Sequence, residues 1–291
     1  MSRHRAPPLT AILTMVAAMA CLSTQDTLSK LLMLSVAPVI IIWTRYGLQT
    51  ALVSATIWRR QSPALWRTRQ WRLQLLRGAL VVGGSVLGYG ALQRMPVAEF
   101  TAIYCLVPLA VTLVARYVLK ENVSTLGWLC VVGGMTGAML VVRPGGHVDP
   151  MGAGLALMGV VCYTGFQILT GVLARKDSPL TIQLCTSALG FALMSAVVPF
   201  FWPAQMAWPD LALLGLVALA GSYGQYFTVL AFSRAPASAL SPYLYTAIGF
   251  SALGGWWMFD HLPDALALCG MGMIAGFGLV AAWLNQGKPP A

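Results

Sequence analysis

Charged side chains are scarce in this chain, since Asp, Glu, Lys and Arg together make up only 9% of its 291 residues. Soluble domains carry about 25% of these residues. Acidic residues number only 8, so the 18 Lys and Arg leave a net charge of +10. Because 58% of the residues are hydrophobic, the composition excludes an ordinary soluble domain and predicts a protein that lies mainly in lipid.

Motifs of enzymes, metal sites and nucleic-acid-binding proteins are also lacking. No phosphate-binding loop and no Cys-x-x-Cys pair occur, and the 3 His residues are scattered. We therefore expect no enzyme activity, no cofactor and no metal site. The basic residues lie between apolar segments rather than on one face, which is typical of topology signals and not of a nucleic-acid surface. The cysteines lie within apolar segments and are interpreted as small buried side chains.

Long apolar segments are what the chain does contain. A helix needs roughly 20 mainly apolar residues to cross the hydrocarbon of a bilayer, and lipid offers the backbone no other hydrogen-bond partner. The sequence therefore predicts an all-α polytopic membrane protein with ten transmembrane helices. The predicted spans are 9–33, 38–58, 74–92, 97–119, 125–142, 151–174, 180–202, 210–232, 237–258 and 263–284.

The distribution of Lys and Arg predicts the orientation. If the N-terminus is cytoplasmic, fourteen Lys and Arg face the cytoplasm, Arg77 among them, and only Lys30, Arg94 and Arg143 face outward. This bias predicts a multi-pass protein of the bacterial inner membrane with both termini in the cytoplasm. The basic start and apolar run resemble a signal sequence, but Cys21 has an equivalent later in the chain, so we expect a permanent first helix.

A sequence repeat indicates how the spans are organised. A shift of 141 residues brings Cys21 onto Cys162 and Pro38 onto Pro179. Five spans per repeat is an odd number, so the two repeats must cross the membrane in opposite directions, as in many transporters whose substrate site lies between the halves. The predicted units are a cytoplasmic tail (1–8), a first repeat (9–143), a periplasmic linker (144–150), a second repeat (151–284) and a cytoplasmic tail (285–291).

Short motifs in the first repeat carry a family resemblance. They are Arg94-Met-Pro96, Pro108-Leu109, Leu119-Lys-Glu121, Gly127-Trp128 and Val141-Val-Arg-Pro-Gly145. With these motifs, almost the whole chain resembles the EamA-type ten-helix members of the drug/metabolite transporter superfamily. The resemblance implies proton-linked or exchange transport of small metabolites, often export of amino acids or their derivatives. The second repeat departs from the pattern, since Ile248 stands where the first repeat has Pro108.

Asp26 is the deepest acidic residue of the predicted spans. It precedes Lys30 by four residues on one helix, and Arg45 on the next span can reach the same region. Ionisable groups within a bilayer are costly and need a reason. Asp26 either neutralises Lys30 or Arg45, or it forms with Arg45 a binding or protonation site that couples transport to protons.

Glu99 opens the fourth predicted helix. It either interacts favourably with the helix dipole, with Arg94 as its partner, or has a gating or proton role. Pro108, in the same span, is a candidate hinge because it removes a backbone donor.

The repeat partners of the charged residues are neutral, since Asp26 corresponds to Gln167, Arg45 to Thr186 and Glu99 to Ala239. We therefore expect an asymmetric cavity with charge on one wall and rings and amides on the other. About half of the second-repeat rings and amides are expected to line it, and Trp43 and Tyr104 are further candidates. The second-repeat set is Tyr163, Gln167, Gln183, Tyr223, Gln225, Tyr226, Tyr243 and Tyr245.

These observations predict a secondary active transporter that exports an amino acid or an amino-acid-derived amphiphile by alternating access. An importer of a vitamin-like or nucleoside-like compound is the alternative within the same class. A non-transporting membrane assembly protein is the alternative from a different class, and it would tolerate neutral substitutions at Asp26 and Arg45. The expected partners are a small-molecule substrate, the lipid bilayer and, as coupling ion, protons, in a monomer or a homodimer.

Overall fold

The described part of the protein is helical and contains no strand, which confirms the predicted all-α class. The computed structural model describes residues 9–61, 65, 68, 70–107, 109–110, 114, 125–142, 149–173, 177–203, 206–234, 240 and 243–285. Its α-helices are α1 (Leu9–Leu32), α2 (Pro38–Arg59), α3 (Trp71–Arg94), α4 (Val97–Tyr104), α5 (Thr125–Val142), α6 (Pro150–Leu173), α7 (Pro179–Val197), α8 (Trp208–Arg234), α9 (Thr246–Phe259) and α10 (Ala265–Asn285).

Proline marks where several helices begin. Pro38 and Pro179 are the first residues of α2 and α7, where the missing amide hydrogen costs nothing and the fixed φ suits a helix. Ser178 caps α7, because its hydroxyl accepts a hydrogen bond from the amide of Thr181 at 3.2 Å. The repeat-related prolines therefore have the same structural role.

Five helical segments are long and apolar enough to cross a membrane, namely α1, α3, 150–170 in α6, 180–200, which begins in α7 and runs into a 3₁₀ turn, and 208–228 in α8. Large apolar side chains such as Leu13, Met139 and Leu253 lie exposed on the outside of the bundle, as expected for a surface that faces lipid. The chain is therefore a multi-pass membrane protein. The count of ten spans stays a prediction.

The fourth predicted span, 97–119, is interrupted. In the structure α4 ends at Tyr104, and after a turn at 105–106 the described residues 107, 109, 110 and 114 are helical again. Pro108 stands four residues after Tyr104, where a helix would need its amide hydrogen to bond the Tyr104 carbonyl. Pro108 itself lies outside the described residues, so its hinge role stays a prediction.

Helices of the first half pack against helices of the second half in a reciprocal pattern. Five of these pairs are α1 with α8, α3 with α6, α2 with α7, α4 with α9 and α5 with α10. In the repeat, α1 to α5 correspond to α6 to α10 in order. If each helix is replaced by its equivalent, the α1–α8 pair becomes the α6–α3 pair, and the other three pairs are unchanged. Two repeats related by a twofold axis would produce this pattern. The inverted repeat remains a prediction, since packing partners alone do not fix the direction of each half.

Glycines bring the backbones of α5 and α10 close together. A Cβ atom added to Gly137 would lie 2.7 Å from the Gly270 carbonyl oxygen, and one added to Gly133 would lie 2.2 Å from the Phe277 ring. The absence of a side chain at these two glycines therefore allows α5 and α10 to pack closely. Gly272 and Gly276 have nothing within 4 Å of such a Cβ, so they do not hold this pair together.

Candidate functional site

A cavity of about 200 Å³ lies between α2, α3, α6, α7 and α8. It reaches from the middle of α2 and α8 to the part of the bundle where α3 and α7 begin, which we call the Arg77 end. The opposite end, where α1, α3 and α9 finish, is called the Lys30 end. The side chains and backbone around the cavity belong to Arg45, Tyr46, Gln49, Arg77, Val81, Ser85, Tyr163, Phe166, Thr170, Ile182, Gln183, Thr186, Gly221 and Gln225.

Arg77 is buried in the wall of the cavity, although the sequence analysis assigned it to the cytoplasmic charges. Its Nε donates to the Thr170 hydroxyl at 2.7 Å, and its Nη1 donates to the Ile182 carbonyl at 3.3 Å and to the Thr186 hydroxyl. Its guanidinium also lies 4.3 Å from the centre of the Phe166 ring, a favourable cation–π distance. Arg77 stands a turn and a half inside α3, so helix packing brings it into the bundle.

Arg45, on α2, provides a second guanidinium in the lining of the cavity. Its Nη2 donates to the Ser85 hydroxyl at 2.9 Å, and its guanidinium lies 4.7 Å from the centre of the Tyr46 ring. The Nε of Arg45 is buried without a hydrogen-bond partner among the described residues. A buried donor in this state is costly, so Arg45 can hydrogen-bond a ligand without breaking a protein contact.

Asp26 lies beside the cavity rather than in its wall. It accepts a hydrogen bond from the Gln25 amide at 2.9 Å and interacts electrostatically with Arg45. Gln25 packs against Gly221, where an added Cβ would lie 2.2 Å from the Gln25 side-chain oxygen. Among the described residues that line the cavity there is no acidic side chain, so the lining itself is cationic.

Aromatic rings extend from the cavity into the bundle. Tyr163 and Phe166 line it with ring centres 5.1 Å apart, and Tyr104 lies 6.3 Å behind Tyr163. The Tyr104 hydroxyl donates to the Gly84 carbonyl at 3.2 Å. Flat rings next to amides and guanidinium groups suit a planar ligand that carries hydrogen-bond acceptors.

Only part of the predicted ring-and-amide wall lines the cavity. Tyr163, Gln183 and Gln225 do so. Gln167 is exposed on α6 and is not among the lining residues, although it stands one helical turn from Tyr163. Tyr243 packs beside a separate apolar cluster between α1 and α8.

Trp43 is also away from the cavity. Its indole nitrogen donates to the Ser195 hydroxyl at 2.8 Å, and its ring stacks on Phe191 at 5.3 Å. Trp202 contacts the same indole edge-on at 6.0 Å. These contacts join α2 to α7 and to the chain that follows it.

A second group of charged residues lies at the Lys30 end. The Glu99 carboxylate is 3% exposed, and its Oε1 lies 3.1 Å from the His261 ring. Asp260 ends α9 with a left-handed backbone, which turns the chain so that His261 faces Glu99. Lys30 donates to the Met95 carbonyl and interacts electrostatically with Glu99.

Two predicted partnerships are therefore wrong. Glu99 is paired with His261 and not with Arg94, which bonds Asp149 at 3.3 Å. Lys30 does not neutralise Asp26. Its ammonium group lies one helical turn beyond Asp26 and donates to the carbonyl of Met95, at the end of α3. Desolvation raises the pKa of Asp149, but hydrogen bonds from Arg94 and from two backbone amides at the start of α6 outweigh it and hold the pKa below its usual range.

Sequence analysis missed several lining residues, namely Arg77, Gln49, Ser85, Thr170 and Thr186. The available signal was the position of Arg77 inside the predicted span 74–92, which argues for burial. The hydroxyl residues carry no such signal, since Ser and Thr often bond the backbone of their own helix.

Comparison with known proteins gives the following relations. Residues 9–143 match the EamA-like transporter family. The chain is 26% identical over 250 residues to a riboflavin transporter of Brucella anthropi, covering 83% of this chain and 86% of that protein. It is 26% identical to a riboflavin transporter of Vibrio cholerae, covering 76% and 73%. It is 27% identical to an S-adenosylmethionine uptake transporter of Rickettsia prowazekii, covering 66% of this chain and 65% of that protein.

The fold is also found in a solved crystal structure. The two structures superpose with a TM-score of 0.67 at 18% sequence identity, over 96% of this chain and 98% of the other. At this identity the likeness concerns the fold alone.

Proposed function

Since the chain belongs to the EamA-like transporter family, as its motifs predicted, we propose that it takes up a planar, vitamin-like metabolite of the riboflavin type. The starting point is that the protein is a small-molecule transporter of the membrane. The substrate class, the direction and the mechanism are the proposal.

The composition of the cavity carries this proposal. Two guanidinium groups, from Arg45 and Arg77, face a space that is otherwise lined by aromatic rings, amides and hydroxyls. A flat heterocycle with carbonyl oxygens offers acceptors to the guanidinium groups and a face to Tyr163 and Phe166. Hydroxyl groups on a side chain would meet Gln183 and Gln225.

This proposal prefers the vitamin-like importer to the exporter of amino-acid derivatives. A zwitterionic amino acid needs an anionic partner for its ammonium group, whereas the described lining residues offer cations and neutral polar groups. Two of the relatives are named as riboflavin transporters and a third as an uptake transporter. Both facts favour import of a neutral or anionic ring compound.

For the mechanism we propose alternating access. In this conformation the cavity extends toward the Arg77 end, while buried polar contacts close the Lys30 end. With both termini in the cytoplasm of the inner membrane, as the Lys and Arg distribution predicts, this would be the inward-facing state. Release to the cytoplasm would follow, and Arg45 and Arg77 would hold the substrate until then.

S-adenosylmethionine is a second candidate substrate, favoured by Asp26. This carboxylate lies next to Arg45 and could accept a cationic ligand if the arginine turned away. The relative from Rickettsia prowazekii is named as an S-adenosylmethionine uptake transporter. Because the cavity lining is cationic, we rank S-adenosylmethionine below a substrate of the riboflavin type.

The test is uptake and counterflow with purified protein in liposomes, using riboflavin, S-adenosylmethionine and a pool of amino acids. We expect saturable riboflavin flux that excess S-adenosylmethionine does not compete away. Tyr163→Ala should abolish most of this flux, because it removes the ring next to the substrate. Gln167→Ala is the matched control, one helical turn away on the same helix but exposed, and should transport normally.

Flux of S-adenosylmethionine or of an amino acid without riboflavin flux would contradict the substrate class. Full activity of both Arg45→Gln and Asp26→Asn in a cellular assay, together with no flux of any compound, would instead favour a membrane assembly protein. The same preparation, examined by mass measurement in detergent, would decide between monomer and homodimer.

A further inference from the structure

The group at the Lys30 end forms a site separate from the substrate cavity. A cavity of about 170 Å³ opens here, and Lys30, Val97, Phe259 and His261 are among its lining residues. The Glu99 carboxylate lies against His261 at its edge. Along α3, the distance from Arg77 to Arg94 is about 26 Å at 1.5 Å per residue, so the site and the cavity occupy different ends of the bundle.

One carboxylate oxygen of Glu99 contacts a partner, and the other makes no hydrogen bond to the described residues. Oε1 faces His261 at 3.1 Å, whereas Oε2 is buried and has no hydrogen-bond partner among the described residues. The whole side chain is 3% exposed. A buried oxygen without a hydrogen-bond partner is costly, and it is a place where a proton can bind.

The surroundings do not favour a metal ion as the ligand. The Lys30 ammonium group interacts electrostatically with Glu99 and would repel a metal cation, and the described residues contain no group of three His, Cys, Asp or Glu side chains that could hold one. A proton has no such difficulty, because it is taken up on the carboxylate itself. His261 is partly exposed, so solvent at this end reaches the edge of the site.

The other charged groups at this end are engaged with other partners or exposed. Arg94 and Asp149 bond each other and are partly exposed. Asp264 accepts a hydrogen bond from the Ala267 amide at the start of α10, and Asp260 forms the end of α9. Within 125–142, α5 carries no charged side chain.

We propose that Glu99 is a proton-binding site, and that proton uptake by its carboxylate releases the contacts that close the Lys30 end. The Glu99–His261 contact joins α4, in the first half of the chain, to the connection between α9 and α10, in the second half. A neutral Glu99 no longer attracts Lys30 or a protonated His261 by charge. The Lys30 end then opens more readily at acidic pH. The proposal adds a coupling ion and its site to the proposed uptake function, and its test requires no substrate.

The test measures the opening of this end directly. Spin labels are attached through Gln93→Cys and Leu262→Cys, after the native cysteines are replaced. Gln93 is exposed near the end of α3, and Leu262 is exposed next to His261, so the two labels lie on the two sides of the contact. Electron spin distance measurements in lipid are then made at acidic and at alkaline pH.

In the labelled parent, acidic pH should shift the label distance to longer values. Glu99→Gln should show the long distance at both pH values, because its side chain is always neutral. Glu99→Asp retains an acid and should retain a pH-dependent shift, which also guards against a general folding defect. Asp149→Asn, the matched control at the same end, should respond like the parent.

His261→Gln separates the roles of the two residues that form the contact. It should keep a pH-dependent shift, because the carboxyl group remains. The proposal is overturned if the parent shows no shift, if Glu99→Gln responds to pH like the parent, or if His261→Gln alone abolishes the response. A negative result for riboflavin flux would leave these measurements unaffected, so the two proposals fail separately.

Discussion

Replacing Arg77 by Met should separate substrate binding from stability. Arg77 is buried and its guanidinium makes three hydrogen bonds to α6 and α7. The two hydroxyls that accept from it, on Thr170 and Thr186, also donate to backbone carbonyls of their own helices at 2.6 and 2.9 Å. Both hydroxyls therefore keep a partner in Arg77→Met, and Met fills part of the volume.

The expected loss of stability is small for this reason. The variant loses the net contribution of its hydrogen bonds and a cation–π contact worth about 0.5–2 kcal/mol, but it no longer buries a charge. The affinity for the substrate should fall by more than the free energy of unfolding. One charge-assisted hydrogen bond to a substrate carbonyl is worth about 1.5–3 kcal/mol, which is about a 10- to 150-fold increase in Kd.

The assay is riboflavin binding, followed by the ligand's own fluorescence, next to thermal unfolding of the same preparations. Arg94→Met is the matched control, since it removes an arginine of the same helix at the Lys30 end, and its Kd should be unchanged. Arg77→Lys should lie between the wild type and Arg77→Met, because it keeps the charge without the planar fork. An unchanged Kd in Arg77→Met, or a loss of affinity that follows the loss of stability in every variant, would refute the role of Arg77 in binding.

Three further predictions follow from other contacts. Gly137→Ala should lower the free energy of unfolding by about 1–3 kcal/mol, since its Cβ meets a backbone carbonyl of α10 that cannot move away; Gly272→Ala, with open space, should be neutral in the same melts. Trp43→Phe should cost about 0.5–1.5 kcal/mol for the lost bond to Ser195, while normal transport kinetics would show that it lies outside the site. Asp26→Asn should weaken riboflavin binding through Arg45 but keep the pH dependence of transport; a flat pH profile would instead support coupling through Asp26.

The general plan of the protein could be predicted from the sequence, because it follows from hydrophobic length and composition. The helical class and the family motifs need only local information, and Arg45, Tyr163 and Gln225 were predicted for the cavity because polar groups within a span require a reason. Gln167 was predicted from its equivalence to Asp26. It fails to reach the cavity because equivalent positions in two repeats need not face the same space.

Contacts between distant segments could not be predicted in the same way. Glu99 and His261 are 162 residues apart, and no spacing rule connects them. Arg77 illustrates the complementary difficulty, since charge counting cannot tell a loop residue from one that lies just inside a helix. The packing of α4 against α9 decides the partner of Glu99, and the packing of α3 against α6 and α7 decides the partners of Arg77.

The glycine-mediated contact between α5 and α10 has a practical consequence for handling the protein. Neither helix contributes a described residue to the lining of the substrate cavity, and their backbones meet too closely at Gly137 and Gly270 to slide past one another. This pair is therefore suited to carry an external attachment. A probe, tether or crystallisation partner fixed to its outer face, near Val132 or Leu268, would leave the helices that line the cavity free.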